Sequence, residues 1–231
     1  MSAIPLRKTV LYPDSDGLPM ADNDLQYRAM VDLRSSLEAR YAGDPEVYVG
    51  ANLLLYYREG DPSASVSPDV FVAFGVGKGD RRSYLVWEEG RVPVLAFEIA
   101  SQNGWQTLLG KKKDLYERLG IDEYVVFDPD GEFIQPRLQG FRLKNGRYRP
   151  LPLEPDGSLV SPATGLRFEP EGVKLRVVDV ASGKRFPWID EDREARARAE
   201  EQAVREAAAR QSLEDELARL RAELERRERN D

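Results

Sequence analysis

From about residue 190 the chain contains neither glycine nor proline, although it holds 18 glycines and 15 prolines before that point. These two residues are the strongest punctuation of helices and strands, so the chain divides into a body of short elements (1–189) and an unpunctuated tail (190–231). Built from Arg, Glu, Ala and Leu after "FPWIDEDREARA", the tail reads as one long helix. It carries 10 arginines against 14 acidic residues, a net of −4 from the total of −7, which leaves −3 on the body. Neither part is basic overall, so indiscriminate nucleic-acid binding through net charge is not expected. Leu213, Leu217, Leu220 and Leu224 are spaced four, three and four apart, the alternation of a coiled-coil seam. Traced backwards, the seam meets Arg210, Glu206, Ala203 and Ala199, which restricts it to about two heptads. The tail therefore predicts a homodimer through a short coiled coil, the alternative being a single helix lying on the body.

The body is long enough for one buried core. Its longest apolar runs, "ANLLLYY" and "VPVLAF", fall far short of the ~20 residues that span a bilayer. "MSAIPLRKTVLYPDSDGLPM" has no apolar stretch before its prolines and does not read as a signal peptide. A cytoplasmic protein without membrane contact is expected. Cysteine and histidine are both absent, which removes disulfides, thiolate catalysis, histidine-ligated zinc and every histidine general base. Acid, base and metal chemistry must come from carboxylates, lysine or tyrosine, and carboxylates suit hard cations.

Along the body, "NDLQYRAMVDLRSSLEARY" predicts a helix capped by Asn23 or Asp24. "EVYVGANLLLYY", "PDVFVAF", "VPVLAFEIA" and "EYVVFDP" predict strands through their β-branched and aromatic content. Asn-Gly in "FRLKNGRYRPL" is a strong hairpin signal, and "VKLRVVDVASGKRF" predicts a second hairpin. Between strands, "GKKKDLYERLG" predicts a helix stopped by Gly120. The order indicates an α/β mixed sheet flanked by helices.

Three charges stand in apolar surroundings. Strand alternation places Val94, Ala96 and Glu98 on one face, with Leu95, Phe97 and Ile99 on the other. Asp69 opens an apolar strand and shares a face with Phe71 and Ala73. At 100° per residue, Lys112 falls within a stripe of Leu108, Leu109, Leu115, Tyr116 and Leu119, while Lys111 and Lys113 flank it. If the two strands are neighbours and the helix packs on their sheet, the three charges converge, and a buried carboxylate needs such a partner or a metal. Each also has a plainer reading. Asp69 alternatively turns the chain after Pro68, Glu98 pairs with an arginine at the sheet edge, and Lys112 snorkels from the helix rim. "GVGKGDRR" lacks the Ser or Thr of a phosphate loop. Lys78, Arg81 and Arg82 with Lys111 and Lys113 read first as ordinary solvated loop charges, with a local basic rim for phosphate contacts as the alternative.

From "YPDSDGLPMADND" to "GVKLRVVDVASGKRF" the body resembles the Uma-two family, grouped with the PD-(D/E)XK nucleases. The resemblance rests on "NLLLYYREG", "PDVFVAFGV", "YLVWEEG", "FEIAS", "KKDLYERLGIDEYVVFDP" and "LQGFRL" in combination. It implies a restriction-endonuclease-like fold, and a magnesium- or manganese-dependent endonuclease acting on DNA. Asp69 and Glu98 would then be the metal carboxylates, the carbonyl of Ile99 a further ligand, and Lys112 the catalytic lysine supplied by the helix, because the usual position two after Glu98 is Ala100. The chain departs from the family pattern at "SQNGW", at Leu108 in place of an acidic residue, and at Gln26 in place of a first-helix histidine. A catalytically degenerate nuclease fold serving as a nucleic-acid-binding or assembly module is the alternative.

Overall fold

The computed structural model describes residues 10–15, 17 and 21–228. The rest of the Pro/Gly-rich leader lies outside the described residues, as does the side chain of the seam residue Leu224. The chain forms two compact units, 1–188 and 189–231.

The first unit begins with α1 (Asp24–Arg40), whose N-cap is Asn23 in extended conformation. The run "EVYVGANLLLYY" makes two strands, β1 (Val47–Ala51) and β2 (Leu55–Tyr56). Asn52 between them has φ 46°, a left-handed backbone that asparagine tolerates. The break sends the two strands into different sheets. Then follow β3 (Ser65–Val66), β4 (Val70–Phe74), β5 (Tyr84–Leu85), α2 (Val86–Glu89) and β6 (Leu95–Ile99). A continuous helical stretch comes next: α3 (Trp105–Thr107), a π turn over Leu108–Lys112, and α4 (Lys113–Leu119). Gly120 ends it in the left-handed conformation. The remaining strands are β7 (Glu123–Phe127), β8 (Leu138–Lys144), β9 (Arg147–Pro150), β10 (Leu159–Ser161), β11 (Leu166–Glu171) and β12 (Lys174–Asp179).

The main sheet has the order β1-β4-β6-β7-β8-β9. Only β6 and β7 run parallel, because the helical stretch carries the chain back across the sheet between them. Both faces are covered. Leu95, Phe97, Ile99, Val70 and Val72 pack under α1 and the β10-β11-β12 sheet, with the Phe97 and Phe168 rings edge to face at 4.8 Å. Phe71, Ala73, Ala96, Tyr124 and Val126 pack under the helical stretch through Leu108 and Tyr116. The alternation expected for β4 and β6 is therefore observed, except that Val94 precedes β6 and packs with the α1 side. Burial of each large apolar side chain contributes about 1.5–3 kcal/mol, so both layers are held firmly to the sheet.

The Asn-Gly hairpin joins β8 to β9 with φ 53° at Asn145 and 74° at Gly146, the double left-handed turn that suits a twisted hairpin. The second expected hairpin is only partial. β12 pairs along its length with β11, and the chain beyond it returns through a single bridge, Val178 to Arg185. Pro187 follows directly and ends the pairing. Among the described residues no helix is long and apolar enough to cross a membrane.

The second unit is α5 (Ile189–Glu228), 40 residues long. Ion pairs one turn apart, including Arg196 to Asp192 and Arg210 to Glu214, support it as a single helix. Leu213, Leu217 and Leu220 are 61%, 53% and 51% exposed, an apolar row with no cover in the single chain. We expect the full chain to self-associate and a chain ending at Trp188 to show a lower oligomeric state. Light scattering across a concentration series checks this, and equal oligomeric states for the two chains at every concentration would refute it.

Candidate active site

β4 and β6 are antiparallel neighbours, with Val70 opposite Phe97 and Phe71 opposite Ala96. One step further in the same register, Asp69 stands opposite Glu98. The Ile99 N–H donates to Asp69 Oδ2 at 2.6 Å. Glu98 is 1% exposed and Asp69 8%. From the helical stretch, Lys112 Nζ donates to Glu98 Oε2 at 2.7 Å and to the Ser67 carbonyl at 3.3 Å. The Tyr116 hydroxyl donates to Glu98 Oε1 at 2.6 Å. Asp69, Glu98, Ile99 and Lys112 thus meet in one place. Asp69 accepts from a neighbouring strand, Glu98 pairs with a lysine, and the Lys112 ammonium is directed inward.

The π turn is what aligns the helix with the sheet. Its wider winding sets Leu108, Lys112 and Tyr116 over the sheet and turns Leu109 out to 37% exposure, so Leu109 does not belong to the buried stripe expected from ideal helical rotation. The Leu108 carbonyl accepts from the Tyr124 hydroxyl at 3.0 Å, which ties the turn to β7.

The charges open onto a cleft of about 370 Å³, also lined by Asp22, Gln26, Asn52, Ser67 and Ser101. Ser101 Oγ donates to the Asp22 carboxylate. The Asp22 N–H donates to Gln26 Oε1 at 2.7 Å, and Gln26 Nε2 donates to the Ile99 carbonyl at 3.3 Å. Sequence reasoning did not place Asp22 and Ser101 at the site, while Gln26 was singled out only through the family resemblance, as the residue in place of a first-helix histidine. Several of the loop and helix cations have partners within the chain. Lys78 donates to the carbonyls of Tyr41 and Ala42, Arg81 is paired with Glu89, and Lys113 lies 4.3 Å over the Phe141 ring. Lys78 and Arg81 line a different cleft beside Tyr41 and Tyr48.

Compared with known proteins, the chain matches the family model Uma2, described as "Putative restriction endonuclease", over residues 19–177. No curated protein matches it. It is similar to a crystal structure from Anabaena variabilis ATCC 29413, described as "a putative nuclease belonging to DUF820", with 17% identity and a TM-score of 0.46 over 61% of this chain and 74% of that one.

Burial pushes the Asp69 carboxyl up to about 7, and the Glu98 charge adds to the rise, while Lys112, the Ile99 N–H and Gln26 oppose it. Burial and the Glu98 charge hold the Tyr116 hydroxyl well above its ordinary range, so it stays protonated and donates. Folding therefore favours protonated Asp69. An unfolded chain releases that proton near 3.9 and the folded one near 7, so stability from this group falls as pH rises between those values, and the loss is complete above 7. In chelator-treated protein, Asp69→Asn should raise the melting temperature by several degrees at pH 8.5 and change it little at pH 4. Thermal melts across pH check this; an equal effect of the substitution at both pH values would contradict it.

Proposed function

The chain belongs to the Uma2 family, and from that premise we propose that it is a divalent-metal-dependent endonuclease that hydrolyses DNA phosphodiester bonds. The observation that carries the reading is the convergence of Asp69, Glu98 and Lys112 on one open cleft. Two carboxylates and the Ile99 carbonyl are hard oxygen donors, the set that suits magnesium or manganese. Among the described residues no group of three or more His, Cys, Asp or Glu side chains is placed to hold a metal ion, so an ion here would rest on two carboxylates and a backbone carbonyl. The residues fit such a cation, held by Asp69, Glu98 and the Ile99 carbonyl. Bound there, it would polarise a phosphate oxygen and lower the pKa of a bound water.

The chain's own groups supply the rest. Tyr116 and Lys112 each take one oxygen of Glu98 and fix the direction of its carboxylate. The Lys112 ammonium faces the cleft, where it orients the attacking water or balances charge developing on the phosphate. The departures at "SQNGW", Leu108 and Gln26 leave these three charges together, so the cleft does not favour the degenerate-fold alternative.

Cleavage of a panel of DNA and RNA substrates with magnesium or manganese tests the proposal. Asp69→Asn, Glu98→Gln and Lys112→Ala should each lose on the order of 100-fold or more in activity, whereas Lys111→Ala and Lys113→Ala should stay within a few-fold of the parent. Equal loss in all three lysine variants would point to a phosphate-binding patch instead. A parent that cuts nothing and gains no thermal stability from either cation would favour the degenerate-fold reading.

A further inference from the structure

Gln26 is held at both ends of its amide. Its backbone N–H donates to Asn23 Oδ1 at 2.8 Å and its Oε1 accepts from the Asp22 N–H at 2.7 Å. The first is the N-cap bond of an Asn-x-x-Gln helix start and the second reaches the residue before the cap; of the side-chain amide, they account for the oxygen alone. With Oε1 turned towards Asp22, the amide nitrogen faces the cleft. There it donates to the Ile99 carbonyl at 3.3 Å and stands close enough to Asp69 to stabilise its carboxylate by hydrogen bonding. A helix cap does not require either contact.

Ile99 O and the Asp69 carboxylate are two of the three groups assigned above to the cation. An amide nitrogen presents them with partial positive charge, the same complement that a cation offers in full. We propose that the Gln26 amide competes with the divalent cation for Asp69 and the Ile99 carbonyl, so that metal entry displaces it and Gln26 sets the metal affinity of the site. This rests on the metal-dependent reading of the cleft. Displacement costs little beyond those hydrogen bonds, because the cleft is open and the freed amide can be hydrated. A residue that only caps α1 would leave metal affinity unchanged on substitution, and one that steadies a metal-bound water would weaken it.

The test is Mn²⁺ binding to the full chain, with free ion followed by electron paramagnetic resonance. Parent, Gln26→Ala, Gln26→Glu and Asp69→Asn are compared, with circular dichroism to verify folding. Gln26→Ala should bind Mn²⁺ about tenfold tighter, the equivalent of one hydrogen bond no longer to be broken. Gln26→Glu keeps the contact to the Asp22 N–H, replaces the competing nitrogen with an oxygen ligand, and should bind tighter still. Unchanged or weaker binding in Gln26→Ala, or no gain in Gln26→Glu should the alanine variant fail to fold, overturns the proposal. Loss of parent binding in Asp69→Asn together with no gain at position 26 rejects the competition while sparing the metal reading. Binding that appears only in the Gln26 variants upholds the competition and rejects metal loading of the native chain. No binding in any variant rejects both.

Discussion

A carboxylate in the middle of a sheet that is covered on both faces has to be matched by donors, and the architecture around Glu98 follows from that requirement. Water cannot supply them at 1% exposure, and an unmatched buried charge would neutralise or unfold the site. Both donors, Lys112 and Tyr116, come from one crossover helix, four residues apart. That helix must therefore pack at a fixed height and rotation above β6. The alanines at 73 and 96 leave room beneath it, and the π turn, fastened by Tyr124, sets its rotation. A parallel pairing of β6 with β7 is the topological consequence of placing such a helix between two strands.

The second carboxylate makes the arrangement asymmetric. Glu98 lies on the inner side, where lysine and tyrosine each donate to one of its oxygens. Asp69 lies on the cleft side, held by a backbone N–H and approached by an amide, and its proton affinity rises because it is buried and stands beside the Glu98 charge. Stability and ligand readiness pull in opposite directions here. A site that closed over Asp69 with a second cation from its own chain would be more stable, and the proposed metal ion would have to displace that cation.

The elements that the body uses were largely legible where side-chain pattern and local backbone preference agree. Asn23 capped α1, Gly120 closed the lysine helix, and Asn145-Gly146 made its hairpin, each for a reason confined to a few residues. Pattern failed where tertiary contacts overrode it. Leu109 left the apolar stripe because a π turn has no local signature strong enough to displace the ideal rotation, and Asn52 split an apolar run that reads as continuous. The partners of the loop cations were out of reach for a similar reason. Lys78 and Arg81 find carbonyls and a glutamate from other parts of the chain, which no local window contains.

The sequence was enough to single out Asp69, Glu98 and Lys112, because a charge in an apolar strand or stripe conflicts with its neighbours whatever the fold. Absence of histidine and cysteine likewise restricted the chemistry to oxygen and amine donors before any contact was known. Distance in space is different in kind. That Tyr116 rather than a water completes Glu98, that Asp22 and Ser101 stand across the cleft, and that the Gln26 amide reaches a carbonyl 73 residues away were decided only when β4, β6, α1 and the helical stretch packed together. Hydrogen bonds between distant segments depend on register and helix rotation, and those are collective results of core packing, not properties of any residue alone.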